Sequence, residues 1–185
     1  ISGKIPYNFL AGVEDKTKEI TIELESNSLS GVVPASLTQF DSLNLYIGAN
    51  KFNGIASGLC SMNNWFAGDV GTFKCDAIMC PKDTFSQWGR RDEDAVCEQC
   101  PDGTVTPYMG SFECVSAEEQ AIEDEKTVLK LMYDSLDGIG WHSQGNWYDD
   151  SVSFCDWHGI TCTSGLQSIQ AIHLGENGLK GILPN

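Results

Sequence analysis

The sequence predicts an α+β repeat fold, a solenoid of short parallel strands, together with a small disulfide-rich segment and a helical segment. Three observations lead to this prediction. A pattern of alternating apolar residues followed by asparagine, glycine and proline occurs in four copies, complete or partial. Six of the eight cysteines lie between Cys60 and Cys114. Apolar residues recur at helical spacing within residues 116–137.

The repeated pattern is clearest in residues 22–34, whose sequence is IELESNSLSGVVP. A second copy, LYIGANKFNG, begins 23 residues later at Leu45, and a third, IHLGENGLKGILP, begins at Ile172. The segment ISGKIP at residues 1–6 matches the back half of the pattern, and Ile1 precedes the corresponding Leu29 by 28 residues. Periods of this length are typical of solenoid repeats.

Each part of the pattern has a physical role. The alternating residues Ile22 and Leu24 place two side chains inward from a short strand. The asparagine that follows, Asn27 in this copy, can bond to backbone groups where the chain turns, and stacked copies predict a ladder of such bonds. One copy alone cannot bury its apolar face, so the copies are expected to stack.

Residues 29–34, LSGVVP, resemble the L-S-G-x-I-P segment of plant-type leucine-rich repeats. The copy that starts at Leu45 departs from the family pattern, because Gly54-Ile55-Ala56 lacks the proline. That copy is therefore expected to be the last repeat before a cap.

Residues 116–137 predict a helix, with Ser116 and Glu119 as a capping box at its start. The sequence then contains the dipeptide Asn146-Trp147 and the segment CDWHGITC at residues 155–162. This order resembles the helical N-terminal cap of plant-type leucine-rich-repeat ectodomains. The resemblance implies a Cys155–Cys162 disulfide, and it implies that Trp147 and Trp157 cover the open end of a solenoid core.

Four regions are expected along the chain. Residues 1–59 would end a first repeat block, 60–115 would form a disulfide-rich module, 116–165 a helical cap, and 166–185 the first repeat of a second block. Because the chain begins and ends inside repeats, it is expected to be a piece of a longer protein that bridges two arrays. End-to-end association through uncapped repeat ends is a further expectation.

The clustered cysteines favour disulfide bonds formed in an oxidising compartment. For the central six, Cys60–Cys75, Cys80–Cys97 and Cys100–Cys114 is the pairing we expect among 15 connectivities. Zinc is an alternative, because Cys75-x4-Cys80 and Cys97-x2-Cys100 have ribbon-like spacing, and a Cys97/Cys100 redox dithiol is another. The run from Cys97 to Thr104 resembles the C-x-x-C-P-x-G-T units of ephrin-receptor and TNF-receptor-like extracellular modules.

The net charge of −15, from 26 acidic and 11 basic residues, argues against nucleic-acid binding. The sequence contains no H-E-x-x-H, G-x-S-x-G or P-loop motif, and its three histidines are not spaced as ligands, so neither enzymatic activity, a cofactor nor a metal is predicted. Outward strand positions form the concave face of a solenoid, which is a common binding surface. Candidate ligand-binding residues there are Glu23, Glu25, Tyr46 and His173.

The resemblance implies a non-catalytic recognition fragment of an extracellular leucine-rich-repeat receptor-like or adhesion protein. Its ligand would be a peptide, a carbohydrate or a protein at the cell surface, and any membrane anchor or kinase would lie outside these residues. A secreted structural or inhibitor-type repeat protein without an anchor is the alternative.

Overall fold

The computed structural model describes residues 1–165 and 167–184, and the chain divides into two compact units, Ile1–Ser116 and Ala117–Asn185. The first unit contains helix α1 (Asp69–Phe73) and strands β1 (Ser2–Lys4), β2 (Ile20–Glu23), β3 (Ser28–Val33), β4 (Leu43–Tyr46), β5 (Lys51–Ile55), β6 (Thr84–Phe85), β7 (Glu98–Gln99), β8 (Thr104–Val105) and β9 (Val115–Ser116). The second unit contains helix α2 (Ala117–Ser135) and strands β10 (Ile160–Cys162) and β11 (Ile169–Ile172).

The repeats of the first unit form two small parallel sheets. The front half of the pattern supplies β2 and β4, which pair from Ile20 opposite Leu43 to Glu23 opposite Tyr46. The back half supplies β1, β3 and β5, with β3 in the middle. The Leu-Ser-Gly segment of each copy therefore pairs as a strand with its counterpart in the neighbouring copy.

Strand alternation places apolar side chains between the two sheets. Leu43 and Leu45 of β4 are fully buried, whereas Asn44 and Tyr46 on the same strand are partly exposed. Burial of each such leucine contributes about 1.5–3 kcal/mol. The remaining fully buried side chains of this core include Val33, Leu37, Phe40, Phe52, Leu59 and Trp65.

Asparagine side chains join successive copies of the repeat. The Asn50 amide donates to the carbonyl oxygens of Ile47 in its own turn, at 3.0 Å, and of Leu24 in the preceding copy, at 2.8 Å. Its Oδ1 atom accepts from the backbone N–H of Leu29 at 2.9 Å. The Asn27 amide donates to Leu24 O at 3.1 Å. These bonds satisfy buried backbone groups that would otherwise be costly to desolvate.

The disulfide-rich segment packs directly on the last repeat of the first unit. Its disulfides join Cys60 to Cys75, Cys80 to Cys97 and Cys100 to Cys114. Two antiparallel hairpins, β6–β7 and β8–β9, lie within it. Backbone bonds from Met109 N to Phe52 O, at 2.9 Å, and from Ala49 N to Gly110 O, at 2.8 Å, hold the segment against the repeat. Repeats and disulfide-rich segment are therefore one compact unit.

The second unit is built on α2, which begins at Ala117 directly after Ser116. Leu129 and Tyr133 on its inner face are buried against an aromatic cluster that contains Trp141, Trp147, Phe154 and Trp157. The Cys155–Cys162 disulfide closes the loop between this cluster and β10.

The repeat pattern at residues 172–184 adopts a different pairing from that of the first unit. Strand β11 runs antiparallel to β10, with Ile160 opposite Ile172, whereas the repeat strands of the first unit pair in parallel. Asn177 bonds to the loop before Trp147: its amide donates to Ser143 O at 2.7 Å, and its Oδ1 accepts from Ser143 N at 2.6 Å. Neither helix within the described ranges is long and apolar enough to cross a lipid bilayer.

Candidate ligand-binding cleft

A cleft of about 310 Å³ opens on the side of the β2–β4 sheet that faces away from the core. Its volume is at the lower end of the range for small-molecule and side-chain pockets. Three of the four predicted ligand-binding residues line it, and three further residues come from the disulfide-rich segment. The lining residues are Glu23, Glu25, Tyr46, Trp88, Arg90 and Asp92.

The two strands determine where Glu23, Glu25 and Tyr46 lie. Glu23 is directly opposite Tyr46 in the parallel pair, and Leu24 N donates to Tyr46 O at 2.8 Å. Alternation then directs Glu25 to the same side as Glu23. Gly48, two residues after Tyr46, is buried, and a Cβ atom there would lie 2.5 Å from the Phe112 ring. The disulfide-rich segment therefore closes this end of the face.

A tight turn positions the residues on the opposite wall. Gly89 N donates to Ser86 O at 2.9 Å, and the Ser86 hydroxyl donates to Arg90 O at 2.7 Å. Cys80 N donates to Gly89 O at 2.7 Å, which fixes the turn beside the Cys80–Cys97 disulfide. Trp88 projects from this turn with 51% of its surface exposed.

Replacement of Gly89 by alanine is expected to destabilise the first unit by about 1–2 kcal/mol more than Gly103→Ala. Both glycines have positive φ, +63° and +83°, so both substitutions carry the left-handed backbone cost. Only at Gly89 would the new Cβ meet backbone, 2.3 Å from Gly110 O, whereas nothing lies within 4 Å at Gly103. Urea unfolding of the two variants measures the difference, and equal costs would contradict the close packing of the turn.

Arg90 is the central cation of the cleft, and its charge is already neutralised. Its guanidinium forms ion pairs with Asp69 at 3.1 Å and Asp92 at 3.2 Å. It also lies over the Phe66 ring, 4.6 Å from the centroid, and 5.7 Å from that of Tyr46. Only 13% of its side chain is exposed. Arg90 therefore links strand β4, the turn at residues 86–90 and helix α1.

Glu23 and Glu25 carry the negative charge of the cleft that is not ion-paired with Arg90. Partial burial raises the pKa of Glu25, and the nearby Glu23 carboxylate raises it further, while Arg90 acts in the opposite direction. An adjoining cleft of about 430 Å³ shares Tyr46, Arg90 and Asp92 and adds more acidic groups. Those additional acidic groups are Asp69, Glu93 and Asp94.

His173, the fourth predicted residue, belongs to the second unit. It lies just beyond β11, is exposed, and its backbone N–H donates to Gly159 O at 2.7 Å. His173 lines neither of the two clefts described above.

All eight cysteines are in disulfides, and none is a free thiol of the kind that the zinc and dithiol alternatives require. Cys97 and Cys100 belong to different disulfides, to Cys80 and Cys114 respectively, so they do not form the internal disulfide of a redox C-x-x-C motif. Within residues 1–165 and 167–184, no group of three His, Cys, Asp or Glu side chains is arranged to hold a metal ion.

Sequence reasoning missed Trp88, Arg90 and Asp92. One signal was available, since Arg90 and Arg91 are the only arginines in the chain and stand side by side in an acidic stretch. Both stack on phenylalanine rings, Arg90 on Phe66 and Arg91 on Phe73 at 4.8 Å. The distance in sequence from β2 to this turn hid the fact that they share one site.

Residues 122–163 match the family model described as the leucine rich repeat N-terminal domain. The match lies in the second unit and includes most of α2, the aromatic cluster and the Cys155–Cys162 disulfide. It supports a protein of the leucine-rich-repeat type. No curated protein and no solved structure matches the chain.

Proposed function

We propose that the chain is a non-catalytic recognition fragment of an extracellular leucine-rich-repeat protein of the plant-type, receptor-like class, and that it binds its ligand in the Glu23–Trp88 cleft. The observation that carries this proposal is the cleft itself. It combines an exposed tryptophan, a tyrosine and two carboxylates on a frame held by disulfides and parallel strands. Binding sites of proteins typically have this mixture of aromatic surface and a few placed polar groups.

The rigid surroundings of the cleft favour binding. The turn that carries Trp88 and Arg90 lies between the Cys80–Cys97 disulfide and the β4 strand, and ion pairs to Arg90 hold it. A site that is already ordered loses little conformational entropy when a ligand binds. Peptide, carbohydrate and protein ligands are all compatible with this proposal, which concerns the place of binding.

The repeat and compartment assignments rest on separate observations. The two parallel sheets and the asparagine bonds of the first unit are what stacked repeats of this type need. Four disulfides support an oxidising, extracellular environment. Surface labelling of unpermeabilised cells that express a tagged parent protein tests the extracellular assignment, which intracellular signal alone would overturn.

Trp88→Ala is expected to remove ligand binding while leaving the fold intact, because the side chain is half exposed. The immobilised chain is screened against a library of short peptides and a panel of oligosaccharides, and the ligands found are measured again on the variant. Tyr7→Ala is the matched control, since this aromatic side chain is 77% exposed and lies outside the cleft. Ligands that bind wild type and Trp88→Ala equally would show that the cleft is not the binding site.

A further inference from the structure

The charged side chains of the cleft differ in whether they have a partner of opposite charge. Arg90 is paired with two carboxylates, Asp69 and Asp92. Within the part of the chain that the structure describes, neither Glu23 nor Glu25 makes a side-chain hydrogen bond or an ion pair within 4.0 Å. Two neighbouring carboxylates thus lie in a cleft between aromatic side chains without a cation of their own.

We infer that the cleft receives one cationic side chain, an arginine or lysine of a basic peptide segment, with its charged end between Glu23 and Glu25 and its aliphatic stem along Trp88. This inference rests on the proposed function and specifies the ligand class for the same cleft.

An anionic ligand does not fit the observed contacts. The one cation of the cleft, Arg90, is largely buried, and its charge is balanced by Asp69 and Asp92. An anion would have to displace one of these carboxylates and approach Glu23 and Glu25. Placing like charges next to one another in a complex costs several kcal/mol of binding free energy. The net charge of −15 also repels anions and attracts basic partners.

A cationic side chain can make favourable contacts with both walls of the cleft. Trp88 offers the aromatic face on which cations bind best, and its exposed area can cover an apolar stem. A guanidinium donates paired N–H hydrogen bonds to carboxylates. The neutral hydroxyl groups of a sugar form weaker hydrogen bonds to carboxylates. A neutral sugar would leave the Glu23–Glu25 repulsion unrelieved, whereas a bound cation removes it.

The same groups predict how binding depends on pH. The titratable and charged groups around Glu25 are Glu23 and Tyr46 on the sheet and Arg90 and Asp92 on the opposite wall. The pKa of Glu25 is raised in the free protein, mainly by burial and then by Glu23. A bound cation favours the ionised carboxylate and lowers this pKa, so affinity is expected to fall as pH falls through the raised pKa.

The test uses the complete 185-residue chain and two acetylated, amidated peptides, Gly-Gly-Arg-Gly-Gly and its twin with citrulline, the neutral isostere of arginine. Titration is followed by the indole N–H resonance of Trp88, which Trp88→Phe assigns. The arginine peptide is expected to bind at least about tenfold more tightly than the citrulline peptide at pH 7, and more weakly at pH 4.

Charge variants separate the cleft from general electrostatic attraction. Glu23→Gln/Glu25→Gln is expected to weaken arginine-peptide binding about tenfold. The control Glu14→Gln/Glu98→Gln changes the net charge equally at exposed positions outside the cleft and is expected to change affinity less than about twofold.

Three results would overturn the inference, and they differ in whether the proposed function survives. Equal binding of both peptides, or a neutral sugar such as cellotetraose that requires Trp88 but not the two glutamates, would reject the cationic ligand while leaving the cleft as the binding site. Absence of any ligand that depends on Trp88 in the screen would reject both the inference and the proposed function.

Discussion

Arg90→Met is expected to lower the free energy of unfolding of the first unit by about 3 kcal/mol and to weaken binding in the cleft. The substitution keeps an unbranched apolar stem of similar reach but leaves Asp69 and Asp92 without their common cation. The side chains of these aspartates are only 23% and 19% exposed. Loss of one member of a buried ion pair costs about 3–5 kcal/mol, and the residual exposure here favours the lower end of that range.

The loss of Arg90 also alters the electrostatics of the cleft. Arg90 is the group that lowers the pKa of Glu25 against burial and Glu23, so the pKa of Glu25 is expected to rise further in the variant. At a given pH a larger fraction of Glu25 would then be protonated, and the protonated carboxyl group does not attract a cation. Arginine-peptide titrations at several pH values would show the midpoint of the pH dependence moving upward wherever residual binding remains.

Arg91→Met provides the control for Arg90→Met, since Arg91 is the adjacent arginine and also stacks on a phenylalanine, at 4.8 Å from the Phe73 centroid. No ion pair involves Arg91 among the described residues, so its loss is expected to cost about 1 kcal/mol or less. Hydrogen exchange followed by mass spectrometry reports the stability of first-unit peptides in both variants. Similar protection in the two would show that the Arg90 ion pairs add little.

The repeat part of the first unit is predictable because its signal is local and periodic. Ile22 and Leu24 recur as Leu45 and Ile47, and the same spacing places Asn50 one repeat after Asn27. Equal spacing brings equivalent residues into register in a parallel pair, so the pattern that predicts the strands also predicts their pairing. The asparagine bond to Leu24 O follows from the same register.

The cleft was only half predictable, because its second wall comes from a segment without periodicity. Glu23, Glu25 and Tyr46 follow from strand alternation. The position of Trp88 depends instead on a turn that packs on Gly110 and on Phe112, which closes over Gly48. Such packing is decided by shape, disulfides and glycine conformation, and none of these leaves a repeat in the sequence.

In the second unit, the part without repeats was predictable and the strand pairing of the repeat pattern was not. Helical spacing and the tryptophan–cysteine motif predict α2 and the aromatic cluster, whereas the antiparallel pairing of the last repeat pattern was not predicted. Ile172 follows the apolar alternation of the earlier copies, yet β11 pairs antiparallel with β10 and leaves this side chain 43% exposed. The nearest strand in sequence is β10, seven residues before β11, and a short connection favours an antiparallel hairpin over a parallel crossover.

Trp157→Ala is expected to destabilise the second unit by about 4 kcal/mol. Trp157 is 1% exposed and packs against Trp147, with ring centroids 5.2 Å apart. Truncation to alanine would leave a cavity at the centre of the cluster that Leu129 and Phe154 also line. Loss of protection in α2 peptides by hydrogen exchange measures the effect, and first-unit peptides serve as the internal reference.

Phenylalanine substitutions separate packing from hydrogen bonding in this cluster. The indole N–H of Trp157 makes no hydrogen bond with the described residues, whereas that of Trp147 donates to His158 O at 2.9 Å. Trp157→Phe removes a buried donor without leaving an acceptor unpaired, but Trp147→Phe leaves the His158 carbonyl without this bond. Trp147→Phe is therefore expected to cost about 1–2 kcal/mol more than Trp157→Phe. The reverse order would mean that ring size at the centre of the cluster outweighs the bond to His158, and that Trp157 stabilises the unit by filling space that no smaller ring can fill.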